Sequence, residues 1–454
     1  MMREAERENK WFFDSEEALD QWIFRFLQDR SSETPTIFLD SQQRGHPASS
    51  FSYIAADPVC WIRSRDGETT TGSSGDSISG TGTVVRTGPA WDMLKTFREE
   101  HPDWMFGWLG YDLKNDDENL LSSNHDPLHL PDLFFFVPAL LLRISRTGRC
   151  VEAIKGDLPV PSGTFQPESS STARKTGFEM GELISMDGWS LYRNNVEKIR
   201  RYIAAGDTYE VNLTHMLHAE WSGDPLILFR AMKREGPVPF AAWLAYGDIR
   251  VCCASPERFL QRSGDLIRSQ PIKGTSPRGS DPESDRRIVR DILRMEKNKA
   301  ENVMIVDLVR HDMSRVAKIG SVRTDALLEV QSFSTLHQLV STVSARVADG
   351  FVSTDVIRAC FPMGSMTGAP KIRTLGIIEE LESYRRGLYS GAIGYFRPND
   401  DFDFNVVIRT AIINRDKLYY PVGGAITADS SPEDEWQETW LKAGLLQRIQ
   451  ATAI

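Results

Sequence analysis

The chain has 454 residues, enough for two or three ordinary domains or one large intertwined domain. Its 41% hydrophobic and 26% charged content is typical of a folded, water-soluble protein. The net charge of −10 argues against a broad nucleic-acid surface, which would need clustered Lys and Arg. The five cysteines lack metal-ligand spacing, the charged N-terminus lacks a signal-peptide core, and the longest apolar run is too short for a membrane span. We therefore expect a cytoplasmic protein that binds neither nucleic acid nor membrane.

The first third of the chain predicts a strand-rich unit. Residues 11–30 carry apolar side chains at helical spacing, with Asp14 or Ser15 as the N-cap. Strands are predicted at 36–41, 51–55, 104–111, 134–144 and 151–154. The segment 157–177 is rich in Pro, Ser and Gly, so it predicts a linker between an N-terminal half, 1–156, and a second half, 178–454.

The second half mixes helices and strands in an order unlike a repeating βαβ unit, which predicts an α+β fold. Helices are predicted at 189–205, at 226–232, from 285 to beyond 306, and from near 431. Strands are predicted at 209–214, 241–246, 249–254, 391–396, 404–413 and 417–421.

An acid and an amine stand out in the middle of the second half. Glu257 follows Ser255-Pro256, and Lys273 comes just before a glycine in the segment P-I-K-G-T. Proline favours an extended residue before it, and glycine allows close approach of the backbone to a ligand. On adjacent extended segments, Lys273 would serve as a nucleophile and Glu257 as a proton donor. Spacing alone also fits a surface acid and a surface amine near two turns.

Three glutamates are candidate ligands of a metal ion. Glu301 borders the apolar run 303–306, while Glu435 and Glu438 are three residues apart on the last predicted helix and share a face. Two glutamates on one helix and a third on another suit Mg²⁺, which prefers carboxylate oxygens. The alternative for the last helix is a solvated acidic start, which the helix dipole favours in any case.

Two loops and an arginine are candidate anion-binding elements. The glycine-rich segment 361–371 feeds a predicted helix, where backbone N–H groups can meet an anion. Arg409 ends the predicted strand 405–408, and the small-residue loop 422–425 follows. An arginine fork beside loop amides would clamp a carboxylate, whereas an isolated arginine at a strand end is usually a surface residue.

These segments together resemble the chorismate-utilising enzymes over essentially the whole chain, most strongly from about residue 188. The motifs G-D-x-x-x-V-N-L, S-P-E-R-F, P-I-x-G-T-x-P-R-G, A-E-N-x-M-I-V-D-L-x-R-x-D, G-S-x-T-G-A-P-K, Y-S-G-A-I-G and A-D-S-x-P-x-x-E-x-x-E occur in that family's order. The resemblance implies chorismate binding on Mg²⁺. It also implies two intertwined antiparallel β-sandwich halves flanked by helices.

Within this family, the lysine of P-I-K-G-T is similar to that of the aminodeoxychorismate synthase large subunit, where anthranilate synthase has alanine. The resemblance implies that Lys273 attacks C2 of chorismate while Glu257 protonates the departing C4 hydroxyl. Ammonia then adds at C4 to give 4-amino-4-deoxychorismate, for p-aminobenzoate and folate biosynthesis, in a transaminase-class reaction. Anthranilate synthase component I, of tryptophan biosynthesis, is the nearest alternative. Isochorismate and salicylate synthases place a lysine where this chain has Glu210, and a non-catalytic, metabolite-binding member is a further alternative.

The resemblance also assigns roles to the remaining site residues. Glu301 and Glu438 match the Mg²⁺ ligands, with Glu435 supporting them. His337 matches an active-site histidine beside the ring, and a buried structural histidine is the alternative. Asn298 stands where an acidic residue often helps the metal. Residues expected to contact the substrate are Gly274, Thr275, Tyr389, Arg409, Gly423, Gly424 and Ala425, of which Ala425 replaces a common glycine.

Regulation and partners follow from the same resemblance. Asp40, Ser41, Pro239 and Phe240 align with a tryptophan pocket, but Asp40 replaces a frequent glutamate, so we expect a structural pocket rather than feedback inhibition. No Cys-His-Glu glutaminase module and no lyase module is evident in the sequence. We therefore expect a glutamine amidotransferase subunit to supply ammonia, and the product to stop before p-aminobenzoate.

Overall fold

The computed structural model of the chain describes residues 3–4, 9–30, 34–42, 51–76, 84–118, 120, 122–158, 177–332 and 336–453. Most of the predicted linker, residues 159–176, lies outside the described residues. The boundary between the two halves therefore stays a prediction.

Helices occur in both halves of the described chain, and none of them is long and apolar enough to cross a membrane. The α-helices are α1 (Glu16–Asp29), α2 (Ala90–Glu100), α3 (Asn115–Glu118), α4 (Gly188–Ala205), α5 (Pro225–Glu235), α6 (Pro282–Arg294), α7 (Glu296–Ser314), α8 (Ser353–Cys360), α9 (Lys371–Leu381) and α10 (Pro432–Ala453). Two short 3₁₀ helices span Tyr111–Lys114 and Gly364–Met366.

Strands make up most of the remaining structure. Those of the N-terminal half are β1 (Arg3–Glu4), β2 (Lys10–Phe12), β3 (Thr36–Asp40), β4 (Ser52–Arg65), β5 (Glu68–Ser73), β6 (Val84–Thr87), β7 (Met105–Leu109), β8 (Leu133–Ser145) and β9 (Cys150–Lys155). Those of the second half are β10 (Phe178–Met180), β11 (Ile184–Ser185), β12 (Glu210–Gly223), β13 (Phe240–Tyr246), β14 (Ile249–Ser255), β15 (Arg258–Ser263), β16 (Leu266–Gln270), β17 (Ile272–Pro277), β18 (Arg323–Ser332), β19 (Leu336–Arg346), β20 (Gly368–Ala369), β21 (Ala392–Phe396), β22 (Phe402–Asn405), β23 (Thr410–Asn414) and β24 (Lys417–Ile426).

Local sequence signals account for several of these elements. Helix α1 begins after Ser15, whose hydroxyl accepts a hydrogen bond from the Ala18 N–H at 3.1 Å, and its apolar face is buried. Helix α5 begins with Pro225 at its first position and is capped by the Asp224 carboxylate, at 2.9 Å from the Leu226 N–H. The predicted hairpin of β13 and β14 is confirmed, with Trp243 opposite Cys252.

Antiparallel pairing joins the two halves. Strand β3 pairs with β13, with Asp40 opposite Ala241, and β7 pairs with β21, with Trp108 opposite Ile393. One buried apolar cluster contains side chains from both halves, among them Leu109 and Phe404. The mixture of helices with antiparallel sheet confirms the predicted α+β class, and the cross-pairing shows how the halves intertwine.

Two elements predicted as continuous are divided in the structure. The long helix expected from residue 285 is divided at Met295, whose extended backbone (φ −64°, ψ 108°) separates α6 from α7. The strand expected at 404–413 is broken between β22 and β23. There the Val406 N–H bonds the Glu257 carbonyl at 3.1 Å, and the Val407 N–H bonds the Gly391 carbonyl at 2.8 Å. These bonds to other segments replace the ladder bonds of a continuous strand.

Candidate active site

The amine of Lys273 lies inside the protein, against a carboxylate from another strand. Lys273 is the second residue of β17, and Glu210 is the first residue of β12. The Lys273 Nζ donates a hydrogen bond to Glu210 Oε1 at 2.9 Å, with the two side chains only 11% and 1% exposed. The alternative of a surface lysine therefore does not hold.

Nearby carboxylates govern the charge of Lys273. Burial alone would lower the pKa of this ammonium, but the negative charges of Glu210, Glu301 and Glu257 outweigh it and raise the pKa above its ordinary value. Lys273 is therefore protonated at neutral pH until a change in its surroundings removes that stabilisation.

Glu257 is a buried acid that lies between β14 and β15. Its carboxyl accepts a hydrogen bond from the Ser365 hydroxyl at 2.7 Å, and the whole residue is only 4% exposed. Burial raises the pKa of Glu257 to about 7, against the lowering effects of the Ser365 hydrogen bond and of the Lys273 and Arg409 charges. A carboxyl with such a pKa holds a proton that it can donate at neutral pH.

Arg409 and Tyr389 come from the segments around β21 and β23. Arg409 has a left-handed backbone (φ +51°). Burial lowers the pKa of this guanidinium, while Tyr420 and Glu257 act in the opposite direction. Tyr389 is buried, at 4% exposure. A guanidinium and a phenol hydroxyl are groups that can hold the carboxylate of a ligand.

Gly274 meets a specific backbone requirement beside Lys273. Its φ is +85°, and a Cβ added there would come within 3.1 Å of the Asn298 side chain. Asn298 therefore packs on β17, and its amide contacts the sulfur of Met295 at 3.3 Å. Thr275, the next strand residue, is exposed and pairs with Gln338 of β19.

The three glutamates predicted to bind a metal gather around one lysine. The Lys297 Nζ lies 2.8 Å from Glu435 Oε1, 3.9 Å from Glu301 Oε1 and 4.0 Å from Glu438 Oε2. Burial would lower the pKa of Lys297, but these carboxylates raise it. No group of three or more potential metal-ligand side chains among the described residues is already arranged to hold an ion.

The glycine loop of β24 lies against these glutamates. A Cβ added to Gly424 would come within 3.6 Å of both Glu435 Oε2 and Glu438 Oε1. These are ordinary contact distances, so Gly424 has room for a Cβ. At Gly423 an added Cβ would come within 2.6 Å of the Leu213 carbonyl, so that glycine has no room for a side chain without shifts. Ala425 pairs with Asn212 as a regular strand residue without positive φ, so the alanine causes no backbone strain.

His337 is held by residues on both sides. Its Nε2 lies 2.9 Å from Asp285 Oδ1, its Nδ1 lies 2.8 Å from the Ser332 hydroxyl, and the residue is 1% exposed. Asp285 also accepts hydrogen bonds from the Gly279 N–H at 2.7 Å and the Arg278 guanidinium at 2.9 Å. Both ring nitrogens are thus engaged, which favours a role in fixing the chain after β17 over direct contact with a ring.

The residues predicted to form a tryptophan pocket do line one partly open pocket. Ser41, Pro239 and Phe240 all contribute to its wall. Asp40 also lines it, but its carboxylate is paired with Arg146 and lies 3.5 Å from the Lys233 amine. That this pocket is structural and does not serve feedback inhibition stays a prediction.

Several partners of the predicted residues carry no signal in the sequence, and Lys297 and Ser365 are two of them. Lys297 lies four positions before Glu301, a spacing that places both on one helix face, but its proximity to α10 depends on the fold. Ser365 belongs to the segment 361–371, for which the sequence predicts only an anion-binding loop. Its hydroxyl bonds the Glu257 carboxyl, 108 residues away in sequence.

A family model and similar known proteins place the chain in the same family. The chorismate binding enzyme family matches residues 34–448. The aminodeoxychorismate synthase component 1 of Bacillus subtilis is 32% identical, with 94% of each chain covered, and the anthranilate synthase component 1 of Thermus thermophilus is 34% identical, with 95% of this chain and 96% of that protein covered. The aminodeoxychorismate synthase of Streptomyces griseus is 49% identical over 58% of this chain, a match that spans only 36% of that longer protein.

Solved structures agree with these matches. The anthranilate synthase component I of Streptococcus pneumoniae superposes with a TM-score of 0.75 at 26% identity, covering 88% of this chain and 92% of that one. The menaquinone-specific isochorismate synthase of Escherichia coli has a TM-score of 0.72 at 15% identity over 94% of this chain and 91% of that one, and so supports the fold alone. On the sequence match, the shared fold and the gathered site residues, the chain belongs to the family of chorismate binding enzymes.

Proposed function

We propose that this chain is the chorismate-converting component of an aminodeoxychorismate synthase and forms 4-amino-4-deoxychorismate from chorismate and ammonia. The observation that carries the proposal is the presence of a buried lysine, Lys273, and a buried acid of raised pKa, Glu257, in one site. Full-length relatives named aminodeoxychorismate synthase component 1 support it, at 32% identity in Bacillus subtilis and 35% in Salmonella typhimurium.

The two residues would share the work of replacing the C4 hydroxyl by an amine. Once Lys273 has lost a proton, its Nζ forms a bond to C2, the ring double bonds shift, and the C4–O bond breaks. Glu257 donates the proton with which the hydroxyl leaves as water. Ammonia then forms the C4–N bond, the double bonds shift back, and the C2–Nζ bond breaks. The net change is the exchange of hydroxyl for amine.

Other residues of the site would orient the substrate. The guanidinium of Arg409 would hold a carboxylate together with the buried Tyr389. The backbone of Gly423 and Gly424 and the segment Gly274-Thr275 would set the position of the ring. In this role the close approach of the Leu213 carbonyl to Gly423 explains why a side chain at that position would disturb the site.

The residues present fit a hard divalent cation such as Mg²⁺. Glu301 Oε1 and Glu435 Oε2 are buried and accept no hydrogen bond from any described group, which is a costly state for carboxylate oxygens. Together with Glu438 they offer oxygen ligands from two helices, as Mg²⁺ prefers. When bound, the ion would supply the positive charge that holds a substrate carboxylate beside these glutamates.

A partner subunit would supply the ammonia. The designation component 1 of the full-length relatives supports a second component, and a glutamine amidotransferase is the class of protein that releases ammonia from glutamine. Both proteins would work in the cytoplasm, where we expect this chain to reside.

Anthranilate synthase component I is the second candidate. The 34% identity to the Thermus thermophilus protein, over 95% of this chain, favours it. An enzyme that aminates the ortho position adds ammonia to C2 directly and needs no lysine nucleophile there, however, and Lys273 places an amine inside the site. The aminodeoxychorismate synthase activity therefore accounts for more of the observed residues.

A covalent intermediate provides the direct test of the lysine's role. The purified chain would be incubated with chorismate and Mg²⁺ without ammonia, digested, and mapped by mass spectrometry. We expect chorismate less one water on the peptide that contains Lys273, no adduct in the Lys273→Ala variant, and loss of the adduct when ammonium is added. Turnover without any such adduct, in rapidly quenched samples, would contradict the nucleophilic role.

A further inference from the structure

Lys297 occupies the space between the three glutamates proposed to bind Mg²⁺. Its ammonium lies within 4.0 Å of one oxygen of each, and it approaches Glu435 most closely, at 2.8 Å. The Lys297 side chain is 49% exposed, whereas the side chain of Glu435 is 2% exposed. The lysine therefore reaches from the solvent side, where the Glu438 side chain is also 43% exposed, toward the buried carboxylates of Glu301 and Glu435.

We propose that Lys297 is an exchangeable cation that holds Glu301, Glu435 and Glu438 together in the metal-free protein and leaves when Mg²⁺ binds. This inference rests on the metal site of the proposed function. It assigns to Lys297 a role in metal loading, in competition with the ion, and not a role in the chemical steps.

The first argument is that the ammonium satisfies the glutamates only in part. Of the three contacts, only the one to Glu435 Oε1 is within hydrogen-bonding distance. Glu435 Oε1 also accepts from the Ser430 hydroxyl at 2.6 Å, while Glu435 Oε2 and Glu301 Oε1 remain buried without a partner among the described groups. A divalent ion with six coordination positions could bind oxygens that the three N–H donors of a lysine leave free.

The second argument concerns size. Mg²⁺ binds oxygens at about 2.0–2.1 Å, closer than the shortest ammonium–oxygen distance here, 2.8 Å. The carboxylates are thus spaced around an ammonium, which explains why no described group of side chains is already arranged as a metal cluster. Metal binding requires that the carboxylates move inward, and they cannot do so while the Lys297 ammonium stays between them.

The third argument is that the Lys297 side chain can move into solvent when the ion binds. Lysine carries its charge on a flexible four-carbon stem and is well hydrated, so a half-exposed lysine can turn into solvent at little cost. Without either cation, three clustered carboxylates would repel one another. The exchange therefore keeps the site neutralised before and after the ion enters.

Lys442 provides a matched comparison in the same site. It lies on α10, four residues after Glu438, and its amine contacts Glu438 Oε1 at 2.8 Å and the Gly423 carbonyl at 2.7 Å. Lys442 pairs with one of the three glutamates, whereas Lys297 lies within 4.0 Å of all three. Removing either lysine deletes one positive charge, but only removal of Lys297 empties the position between the carboxylates.

The experiment measures Mn²⁺ binding to the full chain without chorismate, by titration calorimetry, for wild type, Lys297→Met, Lys297→Gln and Lys442→Met. Mn²⁺ replaces Mg²⁺ as the probe because both prefer oxygen ligands. We expect both Lys297 variants to bind roughly five- to tenfold more tightly than wild type, and Lys442→Met to change binding less. Thermal unfolding should show a lower metal-free Tm for the Lys297 variants and a larger Tm increase on adding Mg²⁺.

Unchanged or weaker Mn²⁺ binding by both Lys297 variants would overturn the inference. So would an increase in Mn²⁺ affinity in Lys442→Met as large as that in the Lys297 variants. The absence of Mn²⁺ binding by wild type would overturn it as well. The glutamine variant retains a polar side chain, so it provides the measurement if the methionine variant does not fold. Metal binding is read without substrate. A wild-type protein that makes the wrong product but shows this exchange would therefore contradict only the proposed function.

Discussion

The ammonium of Lys273 donates a hydrogen bond to the carboxylate of Glu210 across 2.9 Å, with both side chains shielded from water. A lysine must be neutral to attack carbon, and this contact favours its charged form. Glu210 Oε2 is also buried and accepts no hydrogen bond from the described residues. The pair therefore sets how readily the proposed nucleophile loses its proton.

Replacing Glu210 by glutamine should make Lys273 easier to deprotonate. The variant keeps the size of the side chain but removes the opposite charge that raises the pKa of Lys273. We expect the pH at which Lys273 is half-labelled by an amine-reactive reagent, read by peptide mapping, to fall by about 1–2 units.

A control for this variant is available on the same strand. Glu220 pairs with Lys417 at the surface, where the Glu220 side chain is 71% exposed and the Lys417 side chain is 45% exposed. The variant Glu220→Gln should therefore leave the labelling of Lys273 unchanged. Labelling of Lys273 at the same pH in wild type and Glu210→Gln would show that Glu210 does not control its proton.

Glu257 should titrate near neutral pH. Burial raises the pKa of Glu257 to about 7, while the hydrogen bond from Ser365 partly opposes the shift. In carbon-13 NMR of protein labelled at glutamate carboxyls, we expect one resonance to titrate near pH 7 and to be missing from Glu257→Gln. In Ser365→Ala the loss of a donor to the carboxylate should move that titration upward by about one pH unit.

Two outcomes would contradict this account of the acid. One is a set of glutamate resonances that all titrate below pH 5. The other is a downward shift in Ser365→Ala, which would mean that the hydroxyl stabilises the protonated form of Glu257.

Much of the fold could be predicted because local patterns agree with the tertiary structure. Apolar periodicity with a serine cap predicted α1, and alternating segments predicted the hairpin of β13 and β14. The break between β22 and β23 could not be predicted, because the backbone N–H groups there bond carbonyls of other segments. One acceptor, Glu257, is distant in sequence, and the other, Gly391, lies across a turn. Such hydrogen bonds exist only once the fold is formed.

The candidate site shows the same division. Glu257 and Lys273 could be singled out from their motifs, since each is flanked by Pro or Gly residues that set the local backbone. The ion pair with Glu210 and the position of Lys297 against α10 were not predicted, because they join segments 63 and 138 residues apart. Pairwise electrostatics between distant segments leaves no periodic signal in the sequence.

Asp40 should stabilise the N-terminal half at neutral pH and lose that effect in acid. Although burial opposes it, pairing with Arg146 and Lys233 lowers the pKa of Asp40 from 3.8 to about 2. A lowered pKa adds stability above pH 3.8 that is lost as the pH falls through 2, and the shift corresponds to about 2 kcal/mol. We expect Asp40→Asn to lower the free energy of unfolding by about that amount at pH 7, measured in urea.

The difference between wild type and Asp40→Asn should narrow steadily between pH 4 and pH 2. Asp20 still contacts Arg146 at 3.0 Å and Lys233 at 2.8 Å in the variant, so both cations keep a partner. A stability difference that is constant over this pH range would assign the effect to packing and not to charge.

Breaking the buried ion pair between Arg386 and Glu382 should cost the protein much of its free energy of unfolding. Its guanidinium is 1% exposed and bonds both oxygens of Glu382, at 2.7 and 2.8 Å, and the carbonyls of Met366 and Asn212. Arg386→Met leaves the Glu382 carboxylate buried without its cation, so we expect a loss of about 3–5 kcal/mol in urea unfolding. Arg415→Met, which breaks an exposed pair with Asp248, should have little effect. Equal effects of the two substitutions would contradict this assignment.

The identity of the product tests the central claim most directly. The purified chain would be incubated with chorismate, Mg²⁺ and ammonium at alkaline pH, and the products separated by chromatography with and without an added aminodeoxychorismate lyase. We predict a product that becomes p-aminobenzoate only when the lyase is present. Anthranilate formed without any lyase would contradict the account and leave the buried Lys273 without the proposed role.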